Sequence, residues 1–123
     1  MDTTQIFNDV DLLVASLSQY LVKLSTDLFN YQTRIEQLAH LGAIKATAYY
    51  RDNKYLYLIY PSDHGSRQRE YIGSDPDTIA EALAKLDRWH DLQAAKADLD
   101  RVERDLYSLH RNVRDLLRIA SKP

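Results

Sequence analysis

The fold is decided by residues 44–72, IKATAYYRDNKYLYLIYPSDHGSRQREYI, the only part of the chain without a helical pattern. This stretch holds six of the nine tyrosines, and aromatic and β-branched residues favour a pleated, half-buried surface. Two polar breaks divide it, at residues 51–54 and at residues 61–66. In the first break, Asp52 and Asn53 tolerate the left-handed conformation that a tight hairpin turn needs. We therefore predict a three-stranded antiparallel β-meander.

A long helix is predicted before the meander, over residues 4–41. Thr3 or Thr4 is the predicted N-cap, and Gly42 is placed where a helix stops. The apolar residues of this helix recur at alternating steps of three and four, at Val14, Leu17, Leu21, Leu24, Leu28, Tyr31, Ile35 and Leu38. This spacing is a heptad seam, typical of a helix that pairs with another helix.

A second long helix is predicted after the meander, over residues 75–120. The sequence Gly73-Ser-Asp-Pro-Asp77 places a capping residue before a proline at the first helical position. Between Ile79 and Trp89 the apolar pattern is broader, which predicts that this section also packs under the sheet. The heptad seam then continues through Leu92, Ala95, Leu99, Val102, Leu106, Leu109, Val113, Leu116 and Ala120.

Together these elements predict an α+β, mostly helical chain that forms a single domain over residues 1–123. The two long helices form an antiparallel coiled-coil hairpin, and the meander is inserted between them. The alternative is a compact four-layer globule with broken helices. Because a hairpin of two helices hides only one seam, we also expect a homodimer that uses a second apolar stripe, to which Leu12, Tyr20 and Val22 contribute.

Composition narrows the classes of function. The formal net charge is −2, so nucleic-acid binding would need a local basic surface. The chain has no cysteine, which excludes disulfides, thiolate metal sites and a thiol nucleophile. It has no apolar run long enough to span a bilayer and no signal-peptide pattern, so we expect a cytoplasmic protein that does not associate with membranes.

No residue pattern points to catalysis. The four histidines do not occur at a metal-ligand spacing, although His40, His64 and His90 are each compatible with a place near the base of the meander, where three imidazoles would hold a metal. A nucleophile elbow and a glycine-rich phosphate loop are both missing, and the chain has only three glycines. We therefore expect a protein that is not an enzyme and uses no cofactor or metal.

One face of the predicted sheet is a candidate binding surface. Strand alternation places aromatic and basic side chains on this face, and the candidate residues are Lys54, Tyr55, Tyr57, Arg67, Arg69 and Tyr71. The opposite face carries Leu56, Leu58 and Ile72, which suit packing on the helices. Basic residues interleaved with aromatic rings suit phosphate neutralisation and base stacking. Alternatively, the tyrosines form cross-strand pairs that only stabilise a one-sided sheet.

Residues 55–76 also resemble part of some known proteins. The string Tyr55-Leu-Tyr-Leu-Ile-Tyr60, a turn, Arg67-Gln-Arg-Glu-Tyr-Ile-Gly73 and an Asp-Pro-capped helix resembles a tyrosine-rich meander in small proteins of phages, plasmids and transposons. It is similar in outline to the three-stranded arm-binding domains of some tyrosine recombinases, in which the sheet enters a DNA groove and a short helix follows. The helix–hairpin–helix order resembles that of prefoldin subunits, which grip client proteins with the tips of their coiled coil. These resemblances imply a protein of a mobile genetic element, a nucleic-acid partner or a protein client.

A second candidate surface is a basic stripe on the second helix. Arg104, Arg111, Arg114 and Arg118 recur, together with Tyr107, at steps of three and four and so share one side of the helix. Such a stripe suits a phosphate backbone. Alternatively, the stripe fixes the pairing of the two helices, because antiparallel packing places it beside the acidic start of the first helix, which carries Asp2, Asp9 and Asp11.

Two functions follow from these patterns. The first is a non-enzymatic adaptor that binds another protein through its coiled coil or its sheet. The second is a nucleic-acid-binding accessory protein of a phage or mobile element, which holds DNA or RNA on the Arg/Tyr face of the meander. The net charge favours the adaptor, whereas the sheet face and the resemblance favour the accessory protein.

Overall fold

The computed structural model describes residues 2–62 and 65–122 and confirms the predicted α+β architecture. In chain order, a three-stranded antiparallel sheet lies between two long helices. The elements are α1 (Thr3–Leu41), β1 (Thr47–Arg51), β2 (Tyr55–Tyr60), β3 (Gln68–Gly73) and α2 (Pro76–Ala120). Within the described residues, neither helix carries a stretch apolar enough to cross a membrane.

A reciprocal cap starts α1. The Asp2 carboxylate accepts a hydrogen bond from the Gln5 backbone N–H at 2.8 Å, and the Gln5 side-chain oxygen accepts one from the Asp2 N–H at 3.0 Å. This capping box makes Asp2 the N-cap, so the predicted N-cap at Thr3 or Thr4 was wrong. The difference arises because Gln5 lies three residues after Asp2, which is the spacing at which its side chain can return a hydrogen bond to the N-cap backbone N–H. At the other end, Gly42 has a φ of +95° and ends the helix as predicted.

The start of α2 follows the predicted pattern. The Asp75 carboxylate accepts hydrogen bonds from the Thr78 hydroxyl at 2.8 Å and from the Thr78 backbone N–H at 3.0 Å. Pro76, which has no N–H to satisfy, occupies the first helical position. The hydrogen bonds from Thr78 lower the pKa of the Asp75 carboxyl group. A carboxylate cap is thus held in its charged form at the positive end of the helix.

A tight turn sets the register of the sheet. Asp52 and Asn53 have positive φ values of 57° and 55°, and the Lys54 N–H donates to the Arg51 carbonyl oxygen at 3.2 Å. β2 lies in the middle and pairs antiparallel with β1 on one side and β3 on the other. The predicted meander is therefore confirmed, with its first turn at the predicted residues.

Spatial contacts divide the chain into two compact units. The first unit contains the described residues up to Thr33 and from Ala97 onward, and the second unit contains Arg34–Lys96. Each long helix therefore contributes residues to both units. The expected single domain stays a prediction.

The core of the second unit lies between the inner face of the sheet and the beginning of α2. Leu56 and Leu58 are 0% and 1% exposed and form one buried cluster with Ala82. Partly buried side chains complete this cluster, among them Ile72, Ile79, Leu83 and Leu86. The broad apolar pattern at the start of α2 therefore packs under the sheet, as predicted.

Polar contacts fix the antiparallel order of the helices within the second unit. Arg34 of α1 faces Asp91 of α2, with 3.9 Å between Nη2 and Oδ2. Just after α1, the Gly42 carbonyl oxygen accepts a 2.7 Å hydrogen bond from Arg88 Nε, and the Ile44 N–H donates to the Lys85 carbonyl oxygen at 3.0 Å. From Arg34 to Ile44 the residue number rises, while the number of the partner on α2 falls from 91 to 85, which is the antiparallel arrangement.

Candidate nucleic-acid interface

The outer face of the sheet carries a continuous row of tyrosines. Strand pairing places Tyr49 of β1 opposite Tyr57 of β2, and Tyr57 opposite Tyr71 of β3. The Tyr57 and Tyr71 rings have centroids 5.1 Å apart and are inclined by 47°. Tyr49 and Tyr71 are 48% and 57% exposed. The row therefore crosses all three strands and presents aromatic rings to solvent.

A bulge follows Tyr71 in β3. β3 pairs regularly up to Tyr71, opposite Tyr57, but the next pair joins Leu56 with Gly73. Ile72 is therefore the extra residue on β3, and it packs against the buried cluster of the second unit. Gly73, at a φ of +113°, accommodates the change of direction. Tyr71 therefore keeps the regular register of the outer face, and the bulge lies between it and the end of β3.

Basic side chains flank the tyrosine row. Arg51 Cζ lies 5.4 Å from the centroid of the Tyr55 ring and 5.7 Å from that of Tyr57, which are cation–π distances. Lys54 Nζ lies 5.5 Å from the Tyr55 centroid. On the other side of the row, Arg69 pairs with Ile59 and is exposed. The row is therefore bordered by positive charge at both ends of the strands.

The outward positions of the three strands carry no carboxylate. They are Thr47, Tyr49, Arg51, Tyr55, Tyr57, Ile59, Arg69 and Tyr71. The nearest acid in the first turn is Asp52, whose Oδ2 is 3.9 Å from Arg51 Nε. Strand alternation and pairing therefore produce a local surface of four tyrosines and two arginines on a chain whose net charge is −2.

The acid of β3 is held on the other side of the sheet. Glu70 pairs with Leu58, which is buried in the core, and its Oε2 accepts a 2.5 Å hydrogen bond from the Tyr60 hydroxyl. This hydrogen bond, with burial and the negative charge of Glu70, raises the pKa of Tyr60 to about 12. Glu70 thus has a hydrogen-bond partner on the inner side and forms no ion pair with Arg69.

A groove adjoins the outer face where β1 begins and β2 ends. It has a volume of about 390 Å³, and its walls include Thr47 and Ile59 of the outer face. Arg67, which precedes β3, lines this groove together with Trp89 and His90 of α2 and with Lys45. Lys45 Nζ lies 5.5 Å from the centroid of a Trp89 ring. The groove therefore continues the outer face with two more cations and another aromatic ring.

The structure brings together most of the residues predicted for this face. Lys54, Tyr55, Tyr57, Arg69 and Tyr71 belong to the outer face or its first turn, and Arg67 lies in the adjoining groove. The sequence-based prediction missed Tyr49 and Arg51, although both are in β1. Counting back from the hairpin turn at Asp52-Asn53 would have placed them opposite Tyr57 and Tyr55.

The predicted basic stripe is on the part of α2 that belongs to the first unit. Arg104, Arg111 and Arg114 are exposed and form no ion pair with any described residue, and Arg118 pairs with Asp115 on its own helix at 3.0 Å. No ion pair joins this stripe to the described acids at the start of α1. That the stripe fixes the pairing of the two helices through its charge stays a prediction.

Two histidines of the predicted three-histidine site, His40 and His90, belong to the described residues. His64 lies outside the described residues. Within residues 2–62 and 65–122, no group of three or more histidine, aspartate or glutamate side chains is arranged to hold a metal ion.

Comparison with known proteins found no match to this chain among protein-family models, curated proteins or solved structures. The resemblance of residues 55–76 to proteins of mobile elements therefore stays a prediction, and the functional inference depends on the residues and their geometry.

Proposed function

We propose that this protein binds single-stranded nucleic acid on the outer face of its sheet and is not an enzyme. The observation that carries the proposal is the row Tyr49–Tyr57–Tyr71, which crosses three strands and is bordered by Arg51 and Arg69. The row supplies surfaces on which bases stack, and the arginines supply charge for the phosphates. Neither contribution needs a cofactor or a reacting group.

The geometry favours unpaired bases over a duplex. Inside a double helix the faces of the bases are covered by their neighbours. Exposed aromatic rings therefore stack most favourably on bases that are already unstacked. Neighbouring strands lie about 4.8 Å apart, so a row across three strands suits about two or three stacked bases. Every base has a π-face, and a surface without hydrogen-bond readout should therefore bind with little sequence preference.

Fluorescence anisotropy tests this proposal directly. A labelled single strand of about 16 nucleotides, as DNA and as RNA, is compared with a duplex of the same sequence. We expect the single strands to bind more tightly than the duplex. Equal or tighter duplex binding, or no binding at low salt, would contradict the proposal.

A matched pair of variants locates the binding. Tyr49→Ala removes one ring of the row, and Tyr50→Ala removes a neighbouring tyrosine of similar exposure, 48% against 41%, from the opposite side of β1. Loss of one stacked base should weaken binding by about 5- to 150-fold for Tyr49→Ala alone. If both variants keep full affinity while remaining folded by circular dichroism, the tyrosine row serves only sheet stability.

A second candidate function is an adaptor that binds another protein through the helices. The favouring observation lies in the first unit, where large apolar residues are exposed along α1 from Ile6 to Val22 and along α2 from Leu116 to Ile119. Such a surface suits a protein partner.

Hydrogen exchange tests the adaptor. Residues 6–22 and 106–119 of the purified protein are followed over a series of protein concentrations, without and with a cell extract. If these residues gain protection only when the extract is added, the surface binds a different protein. Protection that grows with the concentration of the purified protein assigns the surface to self-association and counts against an adaptor at this site.

A further inference from the structure

In the first unit, the paired helices cover their apolar residues at one end only. Leu24 of α1 and Val102 of α2 are buried. Towards the start of α1, in contrast, every large apolar side chain is more than a third exposed, namely Ile6, Phe7, Val10, Leu12, Leu13, Val14, Leu17, Tyr20, Leu21 and Val22. On α2 the same holds for Leu116, Leu117 and Ile119. Most of these side chains lie on one side of α1, and soluble monomers rarely expose a large contiguous apolar patch.

A groove between α1 and α2 collects many of these residues. This helix groove has a volume of about 520 Å³ and is lined chiefly by Leu17, Leu21, Leu106, Leu109, Val113 and Leu117. At about 100° of rotation per residue, Val14 and Phe7 continue the α1 wall of the groove towards the start of the helix. The groove is therefore a largely apolar depression inside a single unit.

The apolar stripe of α1 is too broad for one neighbouring helix. From Tyr20 through Leu17 to Phe7 it spans about 140° of the helix circumference. A two-helix seam uses a narrow stripe, whereas a helix in a four-helix bundle presents apolar residues to two neighbours. Two residues of the predicted second stripe, Leu12 and Val22, project away from this surface at the same rotation per residue, whereas Tyr20 lies at its edge.

Charge on the two helices is complementary. Between residues 2 and 22, α1 and its cap carry three acids and no lysine or arginine, giving −3; between residues 104 and 122, α2 carries five basic residues and two acids, giving +3. Arg114 lines the helix groove and has no ion-pair partner among the described residues. Asp11 likewise has none. The acidic start of α1 and the basic end of α2 therefore carry opposite charges, but no ion pair joins them among the described residues.

We propose that a second copy of this chain fills the helix groove. The first units of two copies form a two-fold four-helix bundle in which α1 of each copy lies against α2 of the other. In this arrangement the acidic start of α1 meets the basic end of α2 twice, once in each direction. A second copy brings the required charge pattern and apolar stripe by symmetry, whereas an unrelated protein would have to match both. The arrangement with α2 against α2 would place like charges together.

Analytical ultracentrifugation of the full-length chain tests the dimer. We expect twice the chain mass of 14.3 kDa at micromolar concentration. Leu21→Gln places an amide in the groove, and Leu12→Gln is its matched control, because nine residues separate the two and they point to opposite sides of α1. Leu21→Gln should raise the dimer dissociation constant at least about tenfold, and Leu12→Gln should leave it within about twofold. A monomeric wild-type protein, or equal effects of the two variants, would overturn the proposal.

A charge-exchange experiment tests which helices meet, and it does not depend on the apolar substitution. Asp11→Arg alone and Arg114→Glu alone each place like charges on both symmetric contacts, so each variant should dimerise more weakly than the wild type. A mixture of the two variants restores opposite charges on both contacts when α1 of one chain lies against α2 of the other. The mixture should therefore form a mixed dimer of near wild-type affinity. If mixing restores nothing, the arrangement of α1 against α2 is wrong.

Discussion

Replacing Arg69 by alanine is expected to make nucleic-acid binding less sensitive to salt. Three cations border the tyrosine row, namely Arg51, Lys54 and Arg69. Each phosphate neutralised on a single strand contributes about −0.7 to the slope of log affinity against log salt concentration. Three phosphate contacts therefore predict a slope of about −2.1. Between 50 and 200 mM salt, affinity should fall by about 20-fold.

The variant removes one of these contacts. With two cations left, the slope should be about −1.4, and the same change of salt should weaken binding by only about sevenfold. Arg69 suits this test because it is exposed at the rim of the sheet and forms no ion pair with any described residue. Its loss should therefore leave the folded structure intact.

Arg104→Ala is the matched control. Arg104 is also exposed and also lacks an ion-pair partner in the described chain, but it belongs to the basic stripe of α2. Anisotropy titrations at five or more salt concentrations give the slopes for the wild type and both variants. We expect the Arg104→Ala slope to equal that of the wild type. A reduced slope for Arg104→Ala with an unchanged slope for Arg69→Ala would refute the reasoning and place the nucleic acid on the helix.

Three further predictions concern stability and ionisation. Leu58→Ala should lower the free energy of unfolding by about 2–5 kcal/mol in urea titrations, because Leu58 is fully buried, whereas Leu12→Ala at an exposed site should change it by less than about 0.5 kcal/mol. Glu70→Gln should lower the pKa of Tyr60 from about 12, seen as a shift in the absorbance titration of the tyrosinates. Because the folded pKa of Tyr60 is raised, the stabilising effect of Tyr60 is complete below the ordinary pKa of 10.0 and is lost as pH rises towards about 12. A wild-type titration in which no tyrosine ionises near that pH would contradict this. Asp75→Asn should remove part of the stability lost on acidification, because the pKa of Asp75 is lowered on folding and its stabilising effect is present above the ordinary value of 3.8; unchanged acid unfolding would count against the cap.

The two proposals are independent and can fail separately. Nucleic-acid binding depends on residues of the second unit, and self-association depends on residues of the first unit. Tyr49→Ala is expected to change affinity for a single strand without changing the sedimentation of the protein. Leu21→Gln is expected to change the sedimentation of the protein without changing its affinity for a single strand. The affinity is compared at protein concentrations where each copy binds the strand independently.

The sequence by itself determined the elements of this fold, because the signals for them are local. Heptad spacing specifies long helices, a carboxylate followed by Pro76 starts α2, and the two residues Asp52 and Asn53 tolerate the positive φ of the hairpin turn. Strand alternation likewise separated Leu56 and Leu58 from Tyr55 and Tyr57. Each of these signals depends on residues that are close together in the sequence, so it can be recognised without knowledge of the tertiary structure.

Only the tertiary structure decided which side chains form surfaces together. The register between strands placed Tyr49 and Tyr71 on either side of Tyr57 in one aromatic row. The heptad pattern showed which side of α1 is apolar, but not that this side is buried at Leu24 and exposed at Leu13. Periodicity records the chemistry of a face, whereas its burial depends on how closely a distant part of the chain approaches it.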